Sequence, residues 1–157
     1  MAVTNDIPWL TGDEQRMWRR WLGLNAELLA TLNREMQSDT GLSNSDYQVL
    51  AVLSESTEGH MRVSELAASL QWERSRVSHH AARMEKRDLV SRRGCPEDGR
   101  GAFIRITETG RAAIEQAAPG HVRAVRRLVF DVLTAEEVAQ LDEIFHRLRT
   151  RVGLTAE

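Results

Sequence analysis

Met17, Trp21, Leu24, Leu28, Leu32 and Met36 recur at spacings of three and four residues. That spacing draws one apolar stripe along a helix; a strand would need a spacing of two. A second stripe, Val138, Leu141, Ile144, Phe145, Leu148 and Val152, lies near the end of the chain. Two long stripes flank a short centre that cannot cover both. Either the chain is a monomeric helical shell or a second copy buries the surplus, and two-fold association is the commonest soluble solution. The pattern predicts a homodimer.

At 157 residues and 41% hydrophobic, the chain has enough material for one domain with a real core. Its single cysteine, Cys95, excludes an intramolecular disulfide and a cysteine-cluster zinc site. No apolar run approaches the ~18 residues of a membrane span, and residues 1–10 lack the pattern of a signal peptide. A soluble, cytoplasmic protein with no membrane partner is expected.

Between the stripes the punctuation is clear. A first helix over 11–38 is followed by Gly41, a common stop position. Ser43 caps a second helix, with Asp46 in its first turn, where a negative charge suits the dipole. It carries Tyr47, Leu50, Ala51 and Leu53 and closes at Thr57-Glu58-Gly59. A short helix over 63–70 turns through Trp72-Glu73 into a helix over 74–87, with Val77, Ala81 and Met84 inward and Asp88 at its end. Residues 89–93 and 102–106 read as a hairpin around the glycine-rich loop 94–101. Thr107 caps a helix to about Val132, in which Pro119-Gly120 predicts a kink or break. Thr134 and Glu137 form a capping box for the last helix. The expected fold is mainly α, in the order α-α-α-α-β-β-α-α. Short helix, turn, basic helix and hairpin is a winged helix-turn-helix. The chain reads as one domain, 1–157, with a lobe over 42–106 and dimerisation helices over 11–40 and 107–152.

A net charge of −2, from 21 basic and 23 acidic residues, argues at first against nucleic acid. The mean hides a division. Residues 71–105 hold nine basic and five acidic side chains, a net of +4, which leaves −6 elsewhere. All the basic residues but Lys86 are arginines, whose planar forks suit phosphates and guanine edges.

On the helix over 74–87 the face opposite Val77, Ala81 and Met84 carries Ser75, Arg76, Ser78, His79 and Arg83. All can hydrogen-bond to phosphates or bases, and the second helix of such a motif lies in the major groove. Arg76 suits guanine; Ser75 and His79 suit base or phosphate. The competing reading of Arg76 is a surface arginine paired with Glu73 or His80. In the loop, Arg100 stands between Gly99 and Gly101, where an arginine can enter a narrow minor groove. Asp98 can hold that guanidinium or brace the hairpin against another arginine. The competing reading is a solvated hairpin. His79 and His80 make no metal site, since adjacent residues point ~100° apart on a helix and no third ligand sits at helical spacing. No cofactor is expected.

At these residues the chain resembles the MarR family (multiple-antibiotic-resistance regulators). The most specific part is Asp98-x-Arg100-x-x-x-Ile104-x-Ile106-Thr107, similar to the family's wing signature D-x-R-x-x-x-V/I-x-L-T. Ser64-Glu65-Leu66-Ala67, Val77-Ser78 and Met84-Glu85-Lys86-Arg87-x-Leu89-Val90 match in order and spacing. Ile106 replaces the usual Leu. Asp88 stands where the family usually has Gly, and Asp takes a left-handed backbone less readily, so an adjusted turn is expected there. The resemblance implies a homodimeric winged-helix regulator, usually a repressor, on a pseudo-palindromic stretch of double-stranded DNA. It puts Ser75, Arg76, Ser78, His79 and Arg83 in the major groove, and Asp98 and Arg100 in the wing. It also implies a small, often anionic aromatic effector bound between the dimerisation helices and the DNA-binding lobe. Trp18, Arg19, Arg20 and Trp21 can supply aromatic walls and a cationic clamp for it; the competing reading leaves Trp21 in a dimer core and Arg19 and Arg20 in solvent. Cys95, near Arg92 and Arg93, is a candidate redox sensor.

Two other classes fit the sequence less well. A protein-interaction module on the same scaffold would show an apolar outer face on 74–87, and that face is polar and basic. An enzyme would need a nucleophile–base pair, a phosphate loop after a strand or paired carboxylates, and none can be proposed from spacing.

Overall fold

The computed structural model describes residues 7–94 and 102–153. The chain begins with α1, Gly12–Thr40, opened by a reciprocal capping box between Thr11 and Glu14. Gly41 closes it with a left-handed backbone, φ 71°. Helix α2, Asn44–Glu55, is capped by Ser43 and Asp46, each side chain accepting the other's backbone amide hydrogen at 2.9–3.0 Å. The turn after it leads into a strand, β1, His60–Arg62. Helices α3, Val63–Leu70, and α4, Arg74–Glu85, follow in close succession. Strands β2, Val90–Gly94, and β3, Ala102–Ile106, form the hairpin. Helix α5, Glu108–Leu128, a 3-10 turn at Phe130–Val132 and α6, Ala135–Arg151, complete the chain.

Three expectations are corrected. The predicted order lacked β1. Its three residues are too few to show alternation, and only pairing of His60, Met61 and Arg62 with Arg105, Ile104 and Phe103 makes them a strand. The sheet is therefore three-stranded and antiparallel, in the order β1-β3-β2. Pro119 does not break α5, which runs unbroken through it. Buried Ala117 and Ala124, on either side of it, hold the helix in place, and exposed Pro119 gives up one backbone bond. Helix α5 stops at Leu128, ahead of the expected Val132, which belongs to the 3-10 turn.

The core lies in the centre of the chain. Leu42, Val49, Leu50 and Leu53 meet Leu66, Val77, Met84, Val90 and Ile104, all almost fully buried. Each such side chain contributes roughly 1.5–3 kcal/mol relative to exposure. Gly110 lets α5 begin tight against this core: a Cβ there would stand 2.1 Å from the Leu89 carbonyl oxygen. Asp88 keeps the left-handed turn that glycine would make, at φ 56°, so the expected adjustment does not occur. The Thr109 hydroxyl donates to the Asp88 carboxylate at 2.8 Å and fixes it there.

The long helices behave differently. Of the α1 stripe only Leu32 and Met36 are buried, whereas Met17 is 55% and Leu24 67% exposed. No residue of α6 is buried, and Ile144, Phe145, Leu148 and Val152 all face outward. Trp21 and Phe145 meet edge to face at 5.5 Å and leave the rest of both stripes open.

Candidate nucleic-acid interface

Helix α4 owes its orientation to Val77, Ala81 and Met84, which seat it in the core. The opposite side then follows from helical geometry: Ser75, Arg76, His79 and Arg83 are exposed and Ser78 is half-buried. The α3–α4 turn is made by Gln71 in the left-handed region, φ 54°, with the Trp72 amide returning to the Ala67 carbonyl at 2.9 Å. This short connection presents the first turn of α4 with Arg74, Ser75 and Arg76 together.

Neither Glu73 nor His80 is paired with Arg76. Its guanidinium lies over the Trp72 ring, 3.9 Å from the centroid, so a residue read only as part of a turn is a stacking platform. Arg83 Nη2 is 2.8 Å from His80 Nδ1. His80 is itself buried, at 7% exposure, on the inner side of α4. Its Nε2 stands 3.0 Å from Oδ1 of Asp46, which is 3% exposed. Arg87 Nη1 donates to Asp46 Oδ2 at 2.7 Å, and its other terminal nitrogen donates to the Gly41 carbonyl at 2.9 Å. Burial pushes the Asp46 carboxyl upward, but His80, the Ser43 amide and Arg87 outweigh it and hold the group far below the usual carboxylate range. The sequence reading missed this cluster. Its one sequence signal is that His80 falls three residues after Val77 and four before Met84, on the buried stripe.

The hairpin adds a second basic surface. Register sets Arg62, Phe103 and Arg93 in one row across the sheet, with the Arg62 guanidinium 5.1 Å from the Phe103 centroid. Arg92 is held by Glu85 at 2.8 Å. Asp98, Arg100 and Cys95 lie outside the described residues.

A cleft of about 530 Å³ opens between α1, α2, α5 and the α3–α4 turn. Tyr47, Glu55, Leu70, Trp72 and His121 are among its walls. The Tyr47 and His121 rings lie 4.4 Å apart. Burial pushes the His121 imidazole down and favours its neutral form. Burial, with the Glu55 charge, pushes the Tyr47 hydroxyl up. Trp18, Arg19 and Arg20 are exposed on the first half of α1 and are not among the residues of this wall.

Comparison with known proteins agrees with this geometry. The MarR family profile matches residues 40–101. The chain is 38% identical to AbsC, a MarR family transcriptional regulator from Streptomyces coelicolor, covering 95% of this chain and 100% of that one with a TM-score of 0.87. It is 42% identical to Sco3205, a regulator of the same family and organism solved in complex with DNA, over 92% of this chain and 91% of that one, with a TM-score of 0.86. The transcriptional repressor MprA of Escherichia coli K12 is 26% identical over 94% of this chain and 81% of its own length. These relatives are transcriptional regulators and not enzymes. The chain belongs to the MarR family of winged-helix, DNA-binding transcriptional regulators.

Proposed function

We propose that the protein is a homodimeric repressor that docks two copies of α4 in successive major grooves of a pseudo-palindromic operator. The observation that carries this reading is the outer face of α4, where Ser75, Arg76, His79 and Arg83 stand exposed above an apolar seat. A protein-binding face would be apolar; this one is cationic and rich in hydrogen-bond donors. Ser78, at the edge of that face, reaches a phosphate. By the family pattern, Asp98 and Arg100 form the wing that meets the minor groove. The open stripes on α1 and α6 supply the dimer contact, and two-fold symmetry then fixes the half-site spacing. Repression is inferred from the similarity to MprA, a transcriptional repressor.

Enrichment of bound duplexes from a random-sequence pool tests this reading. The expected product is an inverted repeat whose affinity falls steeply with salt, with a log–log slope of about −0.9 per phosphate neutralised. Replacing Arg76 by Ala is expected to cost about tenfold or more on that duplex. Enrichment of no sequence, or an Arg76→Ala protein that binds like wild type, sinks the assignment.

The effector site of this reading is the cleft at Tyr47, Trp72 and His121 and not the exposed Trp18, Arg19 and Arg20. Among the described residues of its wall, Glu55 carries the one formal charge, so an uncharged planar aromatic suits it better than an anionic one. Trp72 is both a wall of the cleft and the platform under Arg76, so a ligand that reseats the ring disturbs a DNA-facing side chain. Salicylamide is expected to release the duplex at concentrations where salicylate does not; the reverse order overturns the charge argument.

A further inference from the structure

We infer that the buried Asp46–His80 pair is a positioning unit for the arginines that α4 presents to DNA, setting Arg83 directly and Arg76 through Trp72. The inference rests on the reading of α4 as the groove-facing helix. Arginine only donates, so His80 Nδ1, 2.8 Å from Arg83 Nη2, must be the acceptor. The ring proton is then on Nε2, which stands 3.0 Å from Asp46 Oδ1. The carboxylate charge favours the proton on that side of the ring, although Nε2 is not aligned on Oδ1 for a hydrogen bond, and this leaves Nδ1 as the acceptor that places Arg83.

The anchor does not belong to α4. Asp46 is the third residue of α2, held by its capping exchange with Ser43 and by Arg87. Side-chain motion on the DNA-facing side of α4 therefore leaves it in place. The second arm runs through Trp72, whose ring meets His80 edge-on at 5.6 Å and 89° while the Arg76 guanidinium stacks on it at 3.9 Å. Two flexible side chains, seven residues and about 10 Å apart along the helix by the ~1.5 Å rise per residue and on the same reading face, thus share one buried reference point. Setting them before DNA arrives reduces the rotamer freedom lost on binding.

A purely structural role explains the cluster less well. A buried ion pair adds little stability over an apolar pair of equal volume. What it adds is direction, and both directions lead from His80 to DNA-facing arginines.

The test uses the full-length protein and the duplex that wild type enriches from a random-sequence pool. Binding anisotropy and thermal melting are measured on the same samples of His80→Leu, His80→Asn, His80→Gln and Arg83→Ala. Asn sets an amide oxygen near the place of Nδ1 and keeps an acceptor for Arg83. Gln reaches toward Asp46 and offers Arg83 no acceptor. His80→Leu and His80→Gln are expected to lose about tenfold in affinity, and His80→Asn no more than about threefold. Adding His80→Leu to Arg83→Ala should cost clearly less than the tenfold it costs wild type, about threefold, because the Arg83 arm is already gone and only the Trp72–Arg76 arm remains. Equal losses in both backgrounds, or equal losses for Asn and Gln, overturn the positioning role and leave the DNA-facing reading intact. An Arg83→Ala protein that binds like wild type overturns the place of Arg83 in that reading and the inference with it. If His80→Leu does not fold, the Asn and Gln pair decides.

Discussion

Asp46 shows how one residue can serve two levels of structure. In the sequence it is an acid in the first turn of a capped helix, and that reading holds, since its side chain accepts the Ser43 amide hydrogen. The fold adds His80 and Arg87, from 34 and 41 residues further along the chain. The folded-state carboxyl is held low, so its contribution to stability is complete above its unfolded value of ~4 and fades as pH falls toward the folded value. Replacing Asp46 by Asn is expected to destabilise by about 2 kcal/mol at pH 7. That difference should shrink when urea melts are repeated below about pH 4. A difference that stays constant with pH would mean the charge is not what stabilises this site. Arg76 has the same history: exposure on α4 was legible from the helical period, but the Trp72 ring beneath it was not.

At the scale of elements, helices were read well because their signals are local. Caps at Ser43, Thr107 and Thr134 bond within three residues, so the sequence contains both partners. Strand β1 had no such signal, because its partner lies more than 40 residues away. Helix α5 shows the opposite case: a local breaker is overruled by packing on both sides of it. That makes Pro119 a cost that the structure tolerates. Pro119→Ala is expected to raise stability by roughly 1–3 kcal/mol, read as a higher melting temperature. A lower melting temperature would show that α5 needs the proline. Gly110→Ala should act the other way and strongly, since the new methyl would collide with the Leu89 carbonyl and part α5 from the hairpin. A loss of several kcal/mol is expected, on the order of severe overpacking. Unchanged urea melts would show that the junction can give.

The whole molecule is a compact centre with two long helices that it does not cover. Leu24 and the outer residues of α6 would be an aggregation liability on a lone chain, and the proposed dimer gives them a partner. Wild type is expected to sediment at twice its 17.8 kDa. Leu24→Glu should shift it toward monomer at micromolar concentration and lower operator affinity, since one α4 then docks without its twin. A Leu24→Glu protein that remains dimeric would move the contact to another face. The division of charge belongs to this scale too: a positive α4–hairpin segment on an acidic body orients approach, so that one face meets the duplex.

By itself, the sequence determined what repeats or bonds over short distances: six helices, the caps at Ser43, Thr107 and Thr134, the hairpin, the inward face of α4 and hence its basic outer face. It also determined the apolar surplus on α1 and α6, because periodicity counts apolar residues whether or not anything covers them. Tertiary structure alone decided the third strand, the continuity of α5 and the cleft at Trp72. It alone brought Asp46, His80, Arg83 and Arg87 to one point. The reason is physical. A cap or a stripe is a relation between neighbours in the chain, whereas a buried charge finds its partners only after the apolar core has fixed which distant segments meet.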